Sequence, residues 1–324
     1  MEPMRTVTAT ASAVPSSSSP TPPARNPGPD WGYAFLRFSD RVLPEFLFRP
    51  LRMLGTWFAV AAMPTQRRHS RAYLAQVLPR RPTTLDVFHH FFAFQESLIL
   101  KLRVINGRFH RCDMSAQPAG FGAWLETPFP VLLGTFHVGV SDLLGFMLGG
   151  RHRTRIAIVR QRVGNSEDTA RLGERFKDFV HFIWVNDPGE MIFALKEAAE
   201  TSTAIALQCD RVDFSARTEA FEFLGARRLF PFTIYHLAIL LRRPVVLSVG
   251  VQVSAERSVL YDSPVFSIAP GEPRSATLER ARAHFQEFLA RLESLLRDSP
   301  YVWFNFTALN PVAPAADKTD AGPR

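Results

Sequence analysis

Only two cysteines, Cys112 and Cys209, occur in 324 residues. They cannot build a disulfide framework, and their wide separation does not fit zinc-ligand spacing. Lysine is nearly missing: 4 of the 38 basic residues are Lys and 34 are Arg. No uncharged apolar run reaches the ~18 residues of a spanning helix. The nearest, residues 127–150, contains His137, Asp142 and five glycines, and reads as strand, turn and helix start. The opening MEPMRTVTATASAVPSSSSP lacks the apolar core of a secretory signal, so a cytosolic topology is the expectation. There is no internal repeat, and no nucleic-acid motif accompanies the arginines, so nucleic acid is not an expected partner.

What is present is a chain 46% hydrophobic, ample for one large domain. Residues 1–29 are rich in Ser, Pro, Thr and Ala without hydrophobic periodicity, and 312–324 read the same way, so both are expected to be disordered tails. Between them, residues 30–311 form a single domain. The chain's net charge of +8 is uneven: from Arg37 to Arg81 there are nine arginines against Asp40 and Glu45, beside apolar runs at Phe46–Phe48 and Met53–Met63. Arginine next to aromatic and aliphatic residues suits an interfacial helix on an anionic membrane surface, and an acidic carrier protein would dock on the same charges. A soluble helix with a solvated basic face is the plain alternative.

Strand-like runs alternate with helical ones along the rest. Asp86–Val104 reads as a largely buried helix. Pro130–Phe136, Arg155–Arg160, Phe182–Val185, Ala204–Leu207 and Pro244–Val253 read as strands. Ser141–Leu148, a segment after Gly164, Pro188–Ala199, Phe232–Leu241 and Ser275–Arg297 read as helices. The pattern predicts an α/β fold, a mostly parallel or mixed central sheet flanked by helices.

Of nine histidines, His137 alone has a carboxylate five positions later, Asp142. The count of acids makes one such spacing unremarkable by chance; its setting is better. His137 follows an apolar strand, Gly139 permits a sharp turn, and a helix start comes next. Asp142 in that first turn would accept the Nδ1 proton and leave Nε2 to deprotonate an alcohol, while helix-start N–H groups meet an oxyanion. A histidine merely hydrogen-bonded at a strand end is the bland reading. Gly139, Val140, Ser141 and Asp142 also begin like a G-x-S-x-G nucleophile elbow, with Leu143 where the second glycine belongs. A serine esterase or thioesterase using Ser141 is therefore an alternative.

The stretch VLLGTFHVGVSD, Val131 to Asp142, resembles the HxxxxD/E block of the lysophospholipid acyltransferase superfamily, closest to the late acyltransferases of lipid A biosynthesis. RIAIVRQRVGNSED resembles a second block with an arginine near the acyl acceptor, here Arg160. ALQCDRVD followed by FEFLGARRLFPF resembles a third, picking out Asp210, Arg211 and Gly225, and HLAILLRRPVVLSVGV a fourth. PYVWFNF stands where the lipid A enzymes carry an aromatic closing motif, but has Asn305 and Phe306 in place of their His and Arg.

The resemblance implies a glycerolipid-acyltransferase-like fold and transfer of a fatty acyl group from acyl carrier protein or acyl-CoA to the hydroxyl of a lipid-like acceptor. It implies a peripheral location on the cytoplasmic face of the inner membrane, with no bound cofactor or metal. His137 and Asp142 would be catalytic; Gly139, Arg160, Asp210, Arg211 and Gly225 would serve substrate binding. A non-catalytic lipid- or carrier-binding scaffold is a further alternative.

Overall fold

The computed structural model describes residues 30–108, 111–114, 129–143, 155–160, 173–185, 188–201, 204–212, 215 and 217–313. The expected tail 1–29 lies outside them. Of the expected C-terminal tail, Val312 bridges Arg228 and the Ala313 N–H donates to the Arg227 carbonyl at 2.8 Å, and residues 314–324 lie outside the described part.

Four helices come first: α1 (Asp30–Val42), α2 (Glu45–Ala62), α3 (Pro64–Val77) and α4 (Thr84–Ile105). The start of α4 is fixed by a capping box, in which Thr83 and Asp86 exchange side-chain-to-backbone bonds. Asp86 also accepts both Arg80 Nη atoms at 2.7 and 2.8 Å and the Tyr301 hydroxyl at 2.8 Å. The Arg80 pairing outweighs burial and holds its carboxyl far below the usual carboxylate range. One acid thus ties the helix start to the closing segment of the chain.

The sheet follows: β1 (Arg111–Met114), β2 (Val131–Gly139), β3 (Ile156–Arg160), β4 (Val180–Trp184), α5 (Pro188–Thr201), β5 (Ala204–Gln208), β6 (Thr218–Phe223), β7 (Ala226–Pro231), α6 (Thr233–Leu241), β8 (Val245–Ser254), β9 (Arg257–Asp262) and α7 (Arg274–Asp298). Seven described strands line up as β1-β9-β8-β2-β5-β3-β4; only the β8–β9 pair is antiparallel. The α/β expectation, a mostly parallel mixed sheet flanked by helices, is what the chain adopts.

Strand β2 is central, with neighbours on both sides. Its residues serve two cores by alternation: Leu132, Phe136 and Val138 join the cluster holding α3, α6 and α7, while Val131 and Leu133 join the one holding Ile156, Val246 and Leu260. A strand covered on both faces has to be apolar on both, which is why PVLLGTF has no polar alternation.

Between β5 and α6 stands the hairpin β6–β7, whose two-residue turn is Leu224-Gly225 with φ of 49° and 71°. Both centres are left-handed, as a tight hairpin of right-twisted strands requires. Leucine is a poor residue there, and the Glu293 carboxylate accepting its N–H at 2.7 Å helps to hold it.

Candidate active site

His137 sits where β2 loses register with β8. Thr135 pairs with Ser248 and Gly139 with Gly250, so four residues of β2 advance against two of β8. Such a bulge re-aims side chains at a strand end. Gly139 makes the turn possible, with φ at 53° and a backbone so close to β8 that any Cβ would strike the Gly250 carbonyl. The turn is pinned further: Gly139 N–H donates to Val302 O at 2.7 Å, Val140 N–H to Gly250 O at 2.8 Å, and Ser97 Oγ to Gly139 O at 3.0 Å.

The partner of His137 Nδ1 is Asp210, at 2.8 Å from Oδ1. Register explains it. Thr135 lies opposite Gln208 in the parallel β2–β5 ladder, so two residues further on His137 faces Asp210, just past the carboxyl end of β5. Asp210 Oδ2 accepts the His137 backbone N–H at 2.8 Å and the Trp303 indole Nε1–H at 3.0 Å. Asn310 Nδ2 donates to the Asp210 carbonyl at 2.9 Å. The carboxylate is fully buried. Burial alone would raise its pKa, but the His137 ring, Arg211 and the Trp303 indole together bring it down to about 2.

An ionised carboxylate only accepts, so Nδ1 must carry the ring proton and Nε2 presents its lone pair. The His137 side chain is 14% exposed, and Nε2 has no hydrogen-bond partner among the described residues. A base with an oriented tautomer, one open nitrogen and a buried counter-charge is what proton abstraction from an alcohol needs.

The Nδ1 contact expected of Asp142 is therefore made by Asp210. Asp142 lies in a single 3₁₀ turn, Ser141–Leu143, where a helix to Leu148 was expected; its side chain and residues 144–148 lie outside the described part. Of the turn's N–H groups, those of Val140 and Leu143 are already taken by Gly250 O and Val140 O, which narrows the oxyanion donors expected there.

Ser141 is no nucleophile. Its Oγ donates to Val138 O at 2.6 Å and accepts from Gly250 N–H at 3.2 Å, and the residue is 4% exposed. A nucleophilic serine needs its hydroxyl on a base, whereas this one staples β2 to β8. Cys209, buried beside Asp210, is equally unsuited: burial, then the neighbouring carboxylate, pushes its thiol far up.

Arg211 lies next to Asp210 and reaches Phe304 O with Nη2 at 3.3 Å, but its Nε is buried without a partner among the described residues. A guanidinium left incomplete beside the base is suited to a ligand oxygen. Arg160 ends β3 on the same carboxyl edge of the sheet, and its guanidinium lies 5.4 Å from the Phe182 ring centre. No contact among the described residues joins it to His137. Gly225 is a hairpin-turn residue, and Phe223, two positions before it, backs the Trp303 ring at 5.6 Å.

Sequence reasoning missed the brace behind the carboxylate. Trp303 pairs with Val138 as an isolated antiparallel bridge, and Phe304 N–H donates to His137 O at 2.8 Å. Buried His90 of α4 bonds through Nε2 to Trp303 O at 2.8 Å and through Nδ1 to Ser70 Oγ of α3 at 2.8 Å. Burial lowers its pKa to about 4 against the opposing pull of the Trp303 carbonyl, so it is neutral, with its proton on Nε2. The signal lay in PYVWFNF, an aromatic cluster too dense for a surface tail.

No protein-family model matches this sequence, and no curated protein matches it.

Proposed function

We propose that the protein transfers a fatty acyl group from a thioester donor, acyl carrier protein or acyl-CoA, to a hydroxyl of a lipid-like acceptor at the cytoplasmic membrane face. The observation that carries this reading is the His137–Asp210 pair, buried behind and open at Nε2, at the carboxyl edge of a parallel sheet where α/β folds place their ligands.

Nε2 takes the proton as the acceptor oxygen attacks the thioester carbonyl. The imidazolium formed is stabilised by Asp210, and it returns the proton to the departing thiolate as the tetrahedral intermediate collapses. Such a base contributes about 10²–10⁴-fold. Arg211, and Arg160 further along the edge, would meet phosphate on the acceptor or on a phosphopantetheine arm. Asp142 follows five positions after His137 in the 3₁₀ turn that closes this strand end. No acyl-enzyme is needed, in keeping with the engaged Ser141 hydroxyl.

The test compares wild type with His137→Ala, using radiolabelled acyl carrier protein, then acyl-CoA, against total lipid extract. Labelled lipid formed by the wild type and lost in a folded variant supports the reading and reveals the acceptor. Equal transfer by both overturns the role of His137 as base, and none by either overturns the reading in favour of a binding scaffold.

A further inference from the structure

Helix α2 is built inside out. Its buried stripe is Phe48, Arg52, Thr56 and Val60, half of it polar. Arg52 pairs there with Glu45 and Glu96, and Thr56 Oγ1 meets the Gln95 side chain at 2.9 Å. The opposite side carries the large apolar residues: Phe46 and Phe58 are each 74% exposed and Leu54 69%, with Phe38 of α1 at 65%. A helix surrounded by water carries these two sides the other way round. A contiguous apolar patch of this kind marks a site for a partner or a membrane.

The elbow between α1 and α2 adds charge. An open cleft of about 800 Å³ there is lined by Arg41, Arg49, Arg52, Arg103 and Arg108 against three acids. Asp40 takes Arg103 and Arg108, while Glu45 and Glu96 take Arg52. Arg41 has only the neutral Asn106 amide oxygen at 3.0 Å, and Arg49 has no partner among the described residues. Two cations beside the apolar residues are thus left without an anion. A second copy of the chain on this face would set these arginines against themselves, whereas an anionic lipid surface complements both the apolar side and the charge.

We propose that this face seats in an anionic bilayer, with the apolar residues of α1 and α2 entering the acyl boundary and the elbow cleft receiving a lipid phosphate. No helix among the described residues is long and apolar enough to cross a membrane, so the contact lies in the plane of the surface. The face is one helix from the candidate base: α2 packs on α4 at Gln95 and Glu96, and the next residue, Ser97, holds the Gly139 carbonyl. An acceptor lipid then reaches the sheet edge without leaving the bilayer.

The experiment is flotation of the full chain with vesicles of phosphatidylcholine alone or mixed with phosphatidylglycerol, with oligomeric state measured in parallel. Wild type is expected to float with the mixed vesicles. Phe46→Ser/Phe58→Ser, at positions outside the core, should weaken binding about tenfold or more. Arg41→Ala/Arg49→Ala should lose about tenfold on mixed vesicles and little on phosphatidylcholine. Inorganic phosphate, matched in ionic strength with chloride, should not displace the protein; displacement would assign the cleft to free phosphate and overturn the headgroup assignment. Binding unchanged by the Phe pair, or a stable dimer that the same pair dissociates, overturns the proposal. His137→Ala should float like wild type, so failure here removes the membrane seat and leaves the His137 chemistry untouched, and the reverse also holds.

Discussion

Replacing Asp210 with Asn separates the orientation of His137 from its mere presence. The carboxylate takes three N–H donors, two on Oδ2 and one on Oδ1. Asparagine offers one oxygen and an NH₂ group. Its best placement keeps the oxygen at the Oδ2 position, where two donors meet. The NH₂ then faces His137 Nδ1, which must become an acceptor, and the ring proton moves to Nε2. The base loses its lone pair while every residue stays in place. In Ser-His-Asp enzymes the same exchange costs about 10⁴-fold in kcat, and a fall of about 10³–10⁴ is expected here at neutral pH. The stability cost should be smaller, about 1–3 kcal/mol.

The pH dependence gives an independent reading. A carboxyl lowered to about 2 contributes stability that is full above its unfolded value near 4 and is lost as pH falls through about 2. That part of the acid limb, about 2–3 kcal/mol, should be missing in Asp210→Asn. The assays are thioester-to-lipid transfer and urea denaturation across pH. A folded Asp210→Asn enzyme within threefold of wild type, with Asp142→Asn inactive, would refute the tautomer argument and make Asp142 the orienting acid.

Three further outcomes follow from the same geometry. Ser141→Ala removes a strand staple, so it should cost about 1–2 kcal/mol in denaturation yet keep acyl transfer; loss of activity in a folded variant would restore the esterase reading. Trp303→Phe keeps the packed ring but deletes the indole donor to Asp210, and kcat should fall about tenfold, against a loss of about 1–1.5 kcal/mol in stability; unchanged kcat would remove Trp303 from the orienting network. Neutral, buried His90 titrates at about 4 rather than near 6.5, so wild type should lose about 3 kcal/mol as pH falls from 6.5 to 4. His181 and His284, also lowered by burial, add to that slope, so the measured quantity is the difference from His90→Gln, which should be flatter.

The sheet was legible because its central strands are buried on both faces: PVLLGTF and PVVLSVGVQV are largely apolar, and each is bounded by turns or helices of opposite periodicity. The strands β1 and β9 at one side of the sheet and the hairpin β6–β7 were not. RCDM and RSVLYD are short and half polar, and Leu224 stands where a hairpin turn favours Asn or Gly. His137 could be read from the strand, glycine and acid around it. Asp210 as its partner could not, since it lies 73 positions further along the chain and is brought close by the order of strands, and no local pattern reports that β5 lies beside β2. The inward side of α2 was not legible either. Arginine beside apolar residues reads as an interfacial or a solvated basic face, and only the partners Glu45, Glu96 and Gln95 show that Arg52 and Thr56 point inward.

The most direct test of the central claim is a single-turnover reaction with radiolabelled acyl carrier protein, quenched in acid and separated into protein and lipid. Direct transfer by the His137–Asp210 base predicts label passing from carrier to lipid with none retained on the enzyme, and no passage in His137→Ala. Label trapped covalently on the enzyme, or equal passage in the variant, would contradict it.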